Sequence, residues 1–156
     1  MLLRCGCFTV NGKTCHYLEC SKEQIGYTQW CSCLSSSGYC EPTLSNEIGT
    51  GYANTQAILN HPNHASATAS NCAAKACAEY KTDTTTAGEW FLPSNNETAI
   101  INKGVTITSN ENLWMSAASR DGDNSKARYG RISSNGFSSY DSQRNILRYF
   151  RAVRAF

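Results

Sequence analysis

The sequence predicts an α+β domain, a twisted antiparallel sheet of short strands with two or three helices, stabilised by disulfides. Three observations carry that expectation. Gly88-Glu89-Trp90-Phe91-Leu92-Pro93-Ser94-Asn95-Asn96-Glu97 joins an extended apolar segment to a helix start. Ser94 offers its oxygen to the amide three residues on, Glu97 reaches back to the Ser94 amide, and Pro93 holds Leu92 extended. The chain then closes on Arg148-Tyr149-Phe150-Arg151-Ala152-Val153-Arg154-Ala155-Phe156, a strand-like run with an arginine at every third position. All nine cysteines, finally, fall in the first half, where periodic segments are few and cross-links are the natural staple.

Residues 1–33 alternate small, polar and aromatic types and predict short strands, one around His16-Tyr17-Leu18-Glu19. Residues 35–45 read as a loop. Gly49-Thr50-Gly51 is a turn into a short helix that Asn54 caps and that runs to Leu59, and residues 61–65 end it. An alanine-rich helix is expected over 67–80, capped at Ser66 or Ser70, and residues 81–88 form a polar loop. The capped helix after Pro93 spans 95–102 and stops before Lys103-Gly104. Val105-Thr106-Ile107-Thr108 alternates like a strand, and further strands are expected at 113–116, 127–133 and 147–156. Trp90, Leu92, Trp114, Val153 and Phe156 are expected in the core. No linker or internal repeat divides the 156 residues, so one domain accounts for them.

A hydrophobic fraction of 40% and a charged fraction of 17% describe a folded, lightly charged globule. The net charge of +2 is unevenly placed: residues 1–102 carry five Lys/Arg against eight Asp/Glu, and residues 103–156 carry nine against four. A basic C-terminal third points to an anionic partner, unless it is simply a solvated arginine-bearing face. Nucleic acid is disfavoured, because the cations are scattered among serines and asparagines.

Cys5-x-Cys7 and Cys31-x-Cys33 have one intervening residue, and His61 and His64 have no cysteine pair at matching spacing, which argues against zinc. Disulfides in an oxidising compartment explain the cysteines better, with reduced, buried thiols as the alternative; an odd number leaves one over. Met1-Leu2-Leu3-Arg4 is not followed by the apolar core of a secretory signal, and no segment reaches the ~20 apolar residues of a membrane span. An exported domain starting here is expected to follow an anchor or assembly segment. No serine-nucleophile elbow, zinc-protease helix or phosphate loop is present, and Glu97 is already occupied as a capping partner to a helix, so no enzyme, catalytic residue or cofactor is expected.

Several blocks occur in a recognisable order: Thr14-Cys15-His16-Tyr17-Leu18-Glu19, Trp30-Cys31, then Ile48-Gly49-Thr50-Gly51-Tyr52-Ala53-Asn54-Thr55-Gln56-Ala57-Ile58. Ala73-Ala74-Lys75-Ala76-Cys77-Ala78-Glu79-Tyr80, Trp90-Phe91-Leu92-Pro93-Ser94 and Arg151-Ala152-Val153-Arg154-Ala155-Phe156 complete the series. Together, over roughly residues 14–156, they resemble the family named for the C-terminal domain of the Legionella collagen-like adhesin. Its members are similar to C-type lectin-like folds and to the variable proteins that retroelements diversify in phages and bacteria. The chain departs from that pattern at Trp114-Met115-Ser116-Ala117-Ala118, which lacks the usual acidic residue, and at Ala127-Arg128, where an Ala-Trp pair is typical. Residues 60–65 look like an insertion, either a contact loop or a plain surface turn.

The resemblance implies that the chain ends pair, that helices flank the sheet, and that loops between the later strands form a binding face. On this sequence those loops lie between Trp114 and Arg148. The exposed candidates are Arg120, Asp121, Asp123, Asn124, Arg128, Tyr129, Arg131, Tyr140, Asp141, Gln143 and Arg144. Tyr and Arg give large contacts and Ser, Asn and Gly adaptable hydrogen bonds, the mixture of binding loops; it is also what adenine-directed diversification of asparagine codons yields. The sugar-binding calcium motifs of C-type lectins are absent, since Glu41-Pro42 is followed by Thr43, and Asp121-x-Asp123-Asn124 offers too few oxygens for a calcium site. The expected function is extracellular recognition or adhesion, on a cell surface, pilus, fibre or virion, with an anionic glycan or a surface protein as ligand. A structural subunit of a pilus, fibre or phage tail, self-assembling or attached to a filament, is the alternative.

Overall fold

The computed structural model describes residues 2–31, 42–104 and 110–156. It opens with a hairpin of β1 (Leu2–Val10) and β2 (Lys13–Cys20). Asn11 and Gly12 form its two-residue turn, both at positive φ (49° and 73°), the geometry that an Asn-Gly pair accepts most readily. A short β3 (Gly26–Thr28) precedes the helices α1 (Gly51–Asn60), α2 (Ala73–Glu79) and α3 (Asn95–Gly104), with a 3₁₀ turn Pro62–His64 after α1. Five strands complete the described chain: β4 (Glu111–Ala118), β5 (Lys126–Ser133), β6 (Gly136–Gln143), β7 (Arg148–Phe150) and β8 (Val153–Ala155).

The strands make two sheets, one of three strands in the order β1-β2-β8 and one of five in the order β3-β7-β4-β5-β6. The α+β class and the disulfide stabilisation predicted from sequence are both present. The chain ends meet: β8 runs antiparallel to β2 with Leu18 opposite Ala155 and Cys20 opposite Val153. The closing run is not the single strand expected. It divides at Arg151-Ala152, so that β7 joins the large sheet and β8 the small one. Arg151 makes that crossing possible. Its buried guanidinium forks onto the Glu111 carboxylate at 2.8 and 2.9 Å and donates to the carbonyls of Ser21 and Lys22.

One core lies between one face of the large sheet and α1 and α2, built on Trp30, Ile58, Ala73, Ala74, Trp114 and Phe150. A second fills the space between the opposite face, α3 and the small sheet, with Leu18, Phe91, Ile101, Leu113, Ile132 and Val153. All three buried tryptophan N–H groups are satisfied, by the Met115 carbonyl, the Thr28 carbonyl and the Thr85 hydroxyl. Of the residues expected inside, Phe156 is the exception, half exposed at the end of β8.

The capping box forms as expected: the Ser94 amide donates to Glu97 Oε2 at 2.7 Å, and the Glu97 amide to Ser94 Oγ at 3.3 Å. Glu97 does more than cap α3. Its Oε1 also accepts from the amides of Gly49 (2.9 Å) and Gly51 (3.4 Å), so one buried carboxylate closes the first turns of α3 and α1 together. Burial pushes its carboxyl pKa up, and the amides of Ser94, Gly49 and Gly51 pull against that shift. Gly51 leaves the room this needs, because a Cβ there would collide with Glu97 Oε2.

Three helix expectations change. Asn54 does not cap α1, which starts at Gly51; its amide instead donates to the carbonyls of Ser45 and Ser116, tying the approach loop to β4. The alanine-rich helix starts at Ala73 rather than 67, because Cys72 is extended and disulfide-bonded to Cys31, while Thr68 and Asn71 close a turn before it. The third runs two residues past 102, to Gly104. The strand expected at 105–108 lies outside the described residues. Residues 136–143, read as loop from sequence, form the full-length strand β6.

Candidate functional site

Strands β4, β5 and β6 carry the region expected to bind. Register sets two rows of side chains across one face of the sheet. Trp114, Tyr129 and Tyr140 stand directly opposite one another in the first row, and Asn112, Arg131 and Ser138 in the second. Opposed residues in antiparallel strands point the same way, as do residues two apart along a strand, so the six share one face.

The aromatic row grades from core to solvent. Trp114 is fully buried, Tyr129 meets it edge-on at 6.4 Å between centroids, and Tyr140 stacks on Tyr129 at 5.6 Å with 45% of its surface exposed. Arg148 of β7 lies 3.6 Å over the Tyr129 ring and donates to the Ser142 hydroxyl at 2.9 Å, so the inner part of the row is held stiffly. The second row is exposed at all three positions. Asn110, Arg131, Ser133, Asn135, Gly136, Ser138 and Tyr140 line a cleft of about 310 Å³ at the hairpin end of this face.

The reverse face of the hairpin packs Ile132 and Phe137 into the second core and, toward the β4–β5 loop, carries an internally paired polar patch. Arg128 lies opposite Asp141, with Nε 3.8 Å from the carboxylate, and donates to Asn46 at 3.2 Å. The Arg120 amide donates to Asp141 Oδ2 at 3.0 Å, and its guanidinium to the Ser139 carbonyl and hydroxyl. In the β4–β5 loop, Lys126 Nζ binds Asp121 at 3.0 Å and Asp123 at 3.1 Å. The hydroxyl and amide of Ser125, with Lys126, hold the Asp123 carboxyl down to about 2, and hydrogen bonds from Lys126 and the Asp123 amide hold Asp121 below its ordinary range. Both carboxylates therefore have donors already. Among the described residues no group of three or more His, Cys, Asp or Glu is placed to hold a metal ion.

The eleven sequence candidates thus separate. Tyr129, Arg131 and Tyr140 share the open face; Arg120, Arg128 and Asp141 form the paired patch on the other. Asp121 and Asp123 shape the connecting loop with the half-buried Asn124 beside them, and Gln143 is exposed at the end of β6 opposite Lys126. Arg144, expected to be exposed, is buried: Nε donates to the Lys126 carbonyl at 3.1 Å and the guanidinium lies 4.5 Å over the Trp30 ring. It supports the fold. Sequence reasoning missed Asn110, Asn112, Ser133, Asn135 and Ser138. The signal for them was the Asn135-Gly136 pair, a hairpin mark that turns the serine-rich segment after it into a strand.

A larger groove, about 400 Å³, lies where the chain ends meet and is lined by Lys13, Tyr52, Glu89, Phe91, Arg154 and Phe156 among others. Two of its charged residues are paired with each other, since Arg154 binds Glu89 as well as Glu19. Comparison with protein-family descriptions, with characterised proteins and with solved structures finds no match for this chain.

Proposed function

We propose that this domain is an extracellular recognition or adhesion module of C-type lectin-like architecture, related to the Legionella collagen-like adhesin family. In this reading it binds a glycan or surface ligand through the β4–β5 loop and the β5–β6 hairpin. Pairing of the terminal strands and helices packed against a sheet support the architecture. The Cys31–Cys72 disulfide supports an oxidising location such as a cell surface or virion. The observation that carries the reading is the exposed Tyr140, stacked on a rigid aromatic row beside the cation of Arg131. Rigid aromatic surface next to an arginine is the make-up of a binding hot spot.

An array of glycans and surface proteins, probed with the domain and with Tyr140→Ala and Arg131→Ala, tests the reading. Ligands retained by the parent and lost by both variants support it. Ligands bound equally by all three place recognition elsewhere and overturn it.

A filament-subunit role is favoured by one observation. β6 and β1 are edge strands, and β1 carries the exposed thiol of Cys7, so copies have both a backbone edge and a cross-linking group to offer one another. Sedimentation of the domain under non-reducing conditions tests it: large uniform assemblies support the subunit role, and a discrete monomer contradicts it.

A further inference from the structure

Among the described residues Arg131 stands apart from the other arginines of the C-terminal third. Arg120, Arg128, Arg144, Arg148, Arg151 and Arg154 each hold a carboxylate, a carbonyl, a hydroxyl or a ring. The Arg131 guanidinium has no hydrogen bond, ion pair or ring contact among them, and it stands exposed in the cleft at the hairpin end of β5 and β6. A planar fork of five donors with nothing to bind is matched by a carboxylate, which accepts two of them side by side.

The walls narrow the ligand further. Among the described residues, amides come from Asn110 and Asn135, hydroxyls from Ser133 and Ser138, one phenol ring from Tyr140, and no aliphatic side chain is present. A protein partner is anchored best by an apolar pocket, and the described walls of this cleft are polar apart from the Tyr140 ring. A sugar ring brings what the walls require: hydroxyls for the amides and serines, and one apolar C–H face for the Tyr140 ring, which Tyr129 backs from behind. At about 310 Å³ the cleft is at the small end of ligand sites, suited to a single ring.

We infer that this cleft is a subsite for a carboxylated pyranose, with Arg131 binding the carboxylate, Tyr140 stacking on the ring, and Asn110, Asn135 and Ser138 reading its hydroxyls. The inference rests on the recognition reading above and names its ligand class.

Titration of the ¹⁵N-labelled domain with methyl β-D-glucuronide, methyl β-D-glucoside and sodium acetate tests it by amide chemical shift. The glucuronide is expected to move resonances of residues 131–140 and to bind roughly tenfold to a hundredfold more tightly than the glucoside, the range of a charge-assisted pair. Arg131→Gln is expected to reduce the glucuronide to the affinity of the glucoside, and Tyr140→Ala to weaken both sugars. Both side chains are exposed, and unchanged spectra outside the cleft establish that the variants fold. Equal affinity for the two sugars overturns the carboxylate assignment, and acetate reproducing the full effect overturns the sugar. Shifts confined to Arg120, Arg128 and Asp141 overturn the subsite while leaving recognition by the hairpin intact. No response to any probe, in a domain whose array ligands do depend on Tyr140, overturns the ligand class alone.

Discussion

Replacing Glu97 by alanine removes the acceptor shared by two helix starts, and the structure fixes what that leaves behind. The amides of Ser94 and Gly49 lose bonds of 2.7 and 2.9 Å, and the Gly51 amide loses a longer one at 3.4 Å. The site is fully buried, so water does not replace the lost acceptor without opening the structure. An orphaned buried donor costs about 1–3 kcal/mol, and two good bonds with one weak one amount to about 3–5 kcal/mol. That is a large part of the ~5–15 kcal/mol that holds a domain of this size folded. Glu97→Gln keeps one oxygen but turns an NH₂ group toward a backbone donor, and is expected to cost about 1–3 kcal/mol. Urea unfolding followed by the fluorescence of Trp30, Trp90 and Trp114 reads both variants. A loss below about 1 kcal/mol for Glu97→Ala, with an unchanged urea slope, would refute the claim that this carboxylate joins α1 to α3.

Four further outcomes are expected. Arg151→Ala leaves Glu111 without its forked partner at the crossing between the sheets and should destabilise by about 3–5 kcal/mol in urea unfolding; Arg151→Met, which fills the space but not the charge, tests whether packing alone suffices. Cys31→Ser with Cys72→Ser opens a cross-link spanning 41 positions and should cost about 4 kcal/mol by the same assay, unless the reduced chain retains structure there. The Asp121–Asp123–Lys126 loop should keep its geometry above pH 4 and lose it as pH falls toward 2. A carboxyl whose folded pKa is depressed stabilises above its ordinary value of 3.8 and ceases to do so as it is protonated at about 2; amide shifts of residues 121–126 follow it. His64 works in the same direction at higher pH. Burial lowers its pKa from the ordinary 6.5, so stability is complete above that value and declines as pH drops below it, in a thermal melt from pH 7 to 5; His64→Gln should flatten the decline.

Local chemistry was legible in the sequence where one residue type admits few alternatives. The Ser94–Glu97 box, the core tryptophans and the strands over β4 and β5 follow from side chains that act within a few residues. Long-range partners were not legible. Nothing in the alanine-rich segment signals that Cys72 is pulled extended by Cys31, which takes six residues from the expected helix. The closing run alternates like one strand, and only the buried Arg151–Glu111 pair shows why it divides between two sheets. At the candidate site the Tyr and Arg content pointed to the right stretch, but a loop assignment concealed that β6 exists. Without that strand there is no register, and register is what separates Tyr129, Arg131 and Tyr140 from Arg120, Arg128 and Asp141.

Hydrogen exchange of the domain with and without a ligand taken from the array tests the central claim most directly. Slowed exchange confined to the β4–β5 loop and the β5–β6 hairpin is expected, strongest from Tyr129 to Tyr140, with the small sheet unchanged. Protection centred instead on the groove where β8 meets the β1–β2 hairpin would contradict it and move recognition to that groove.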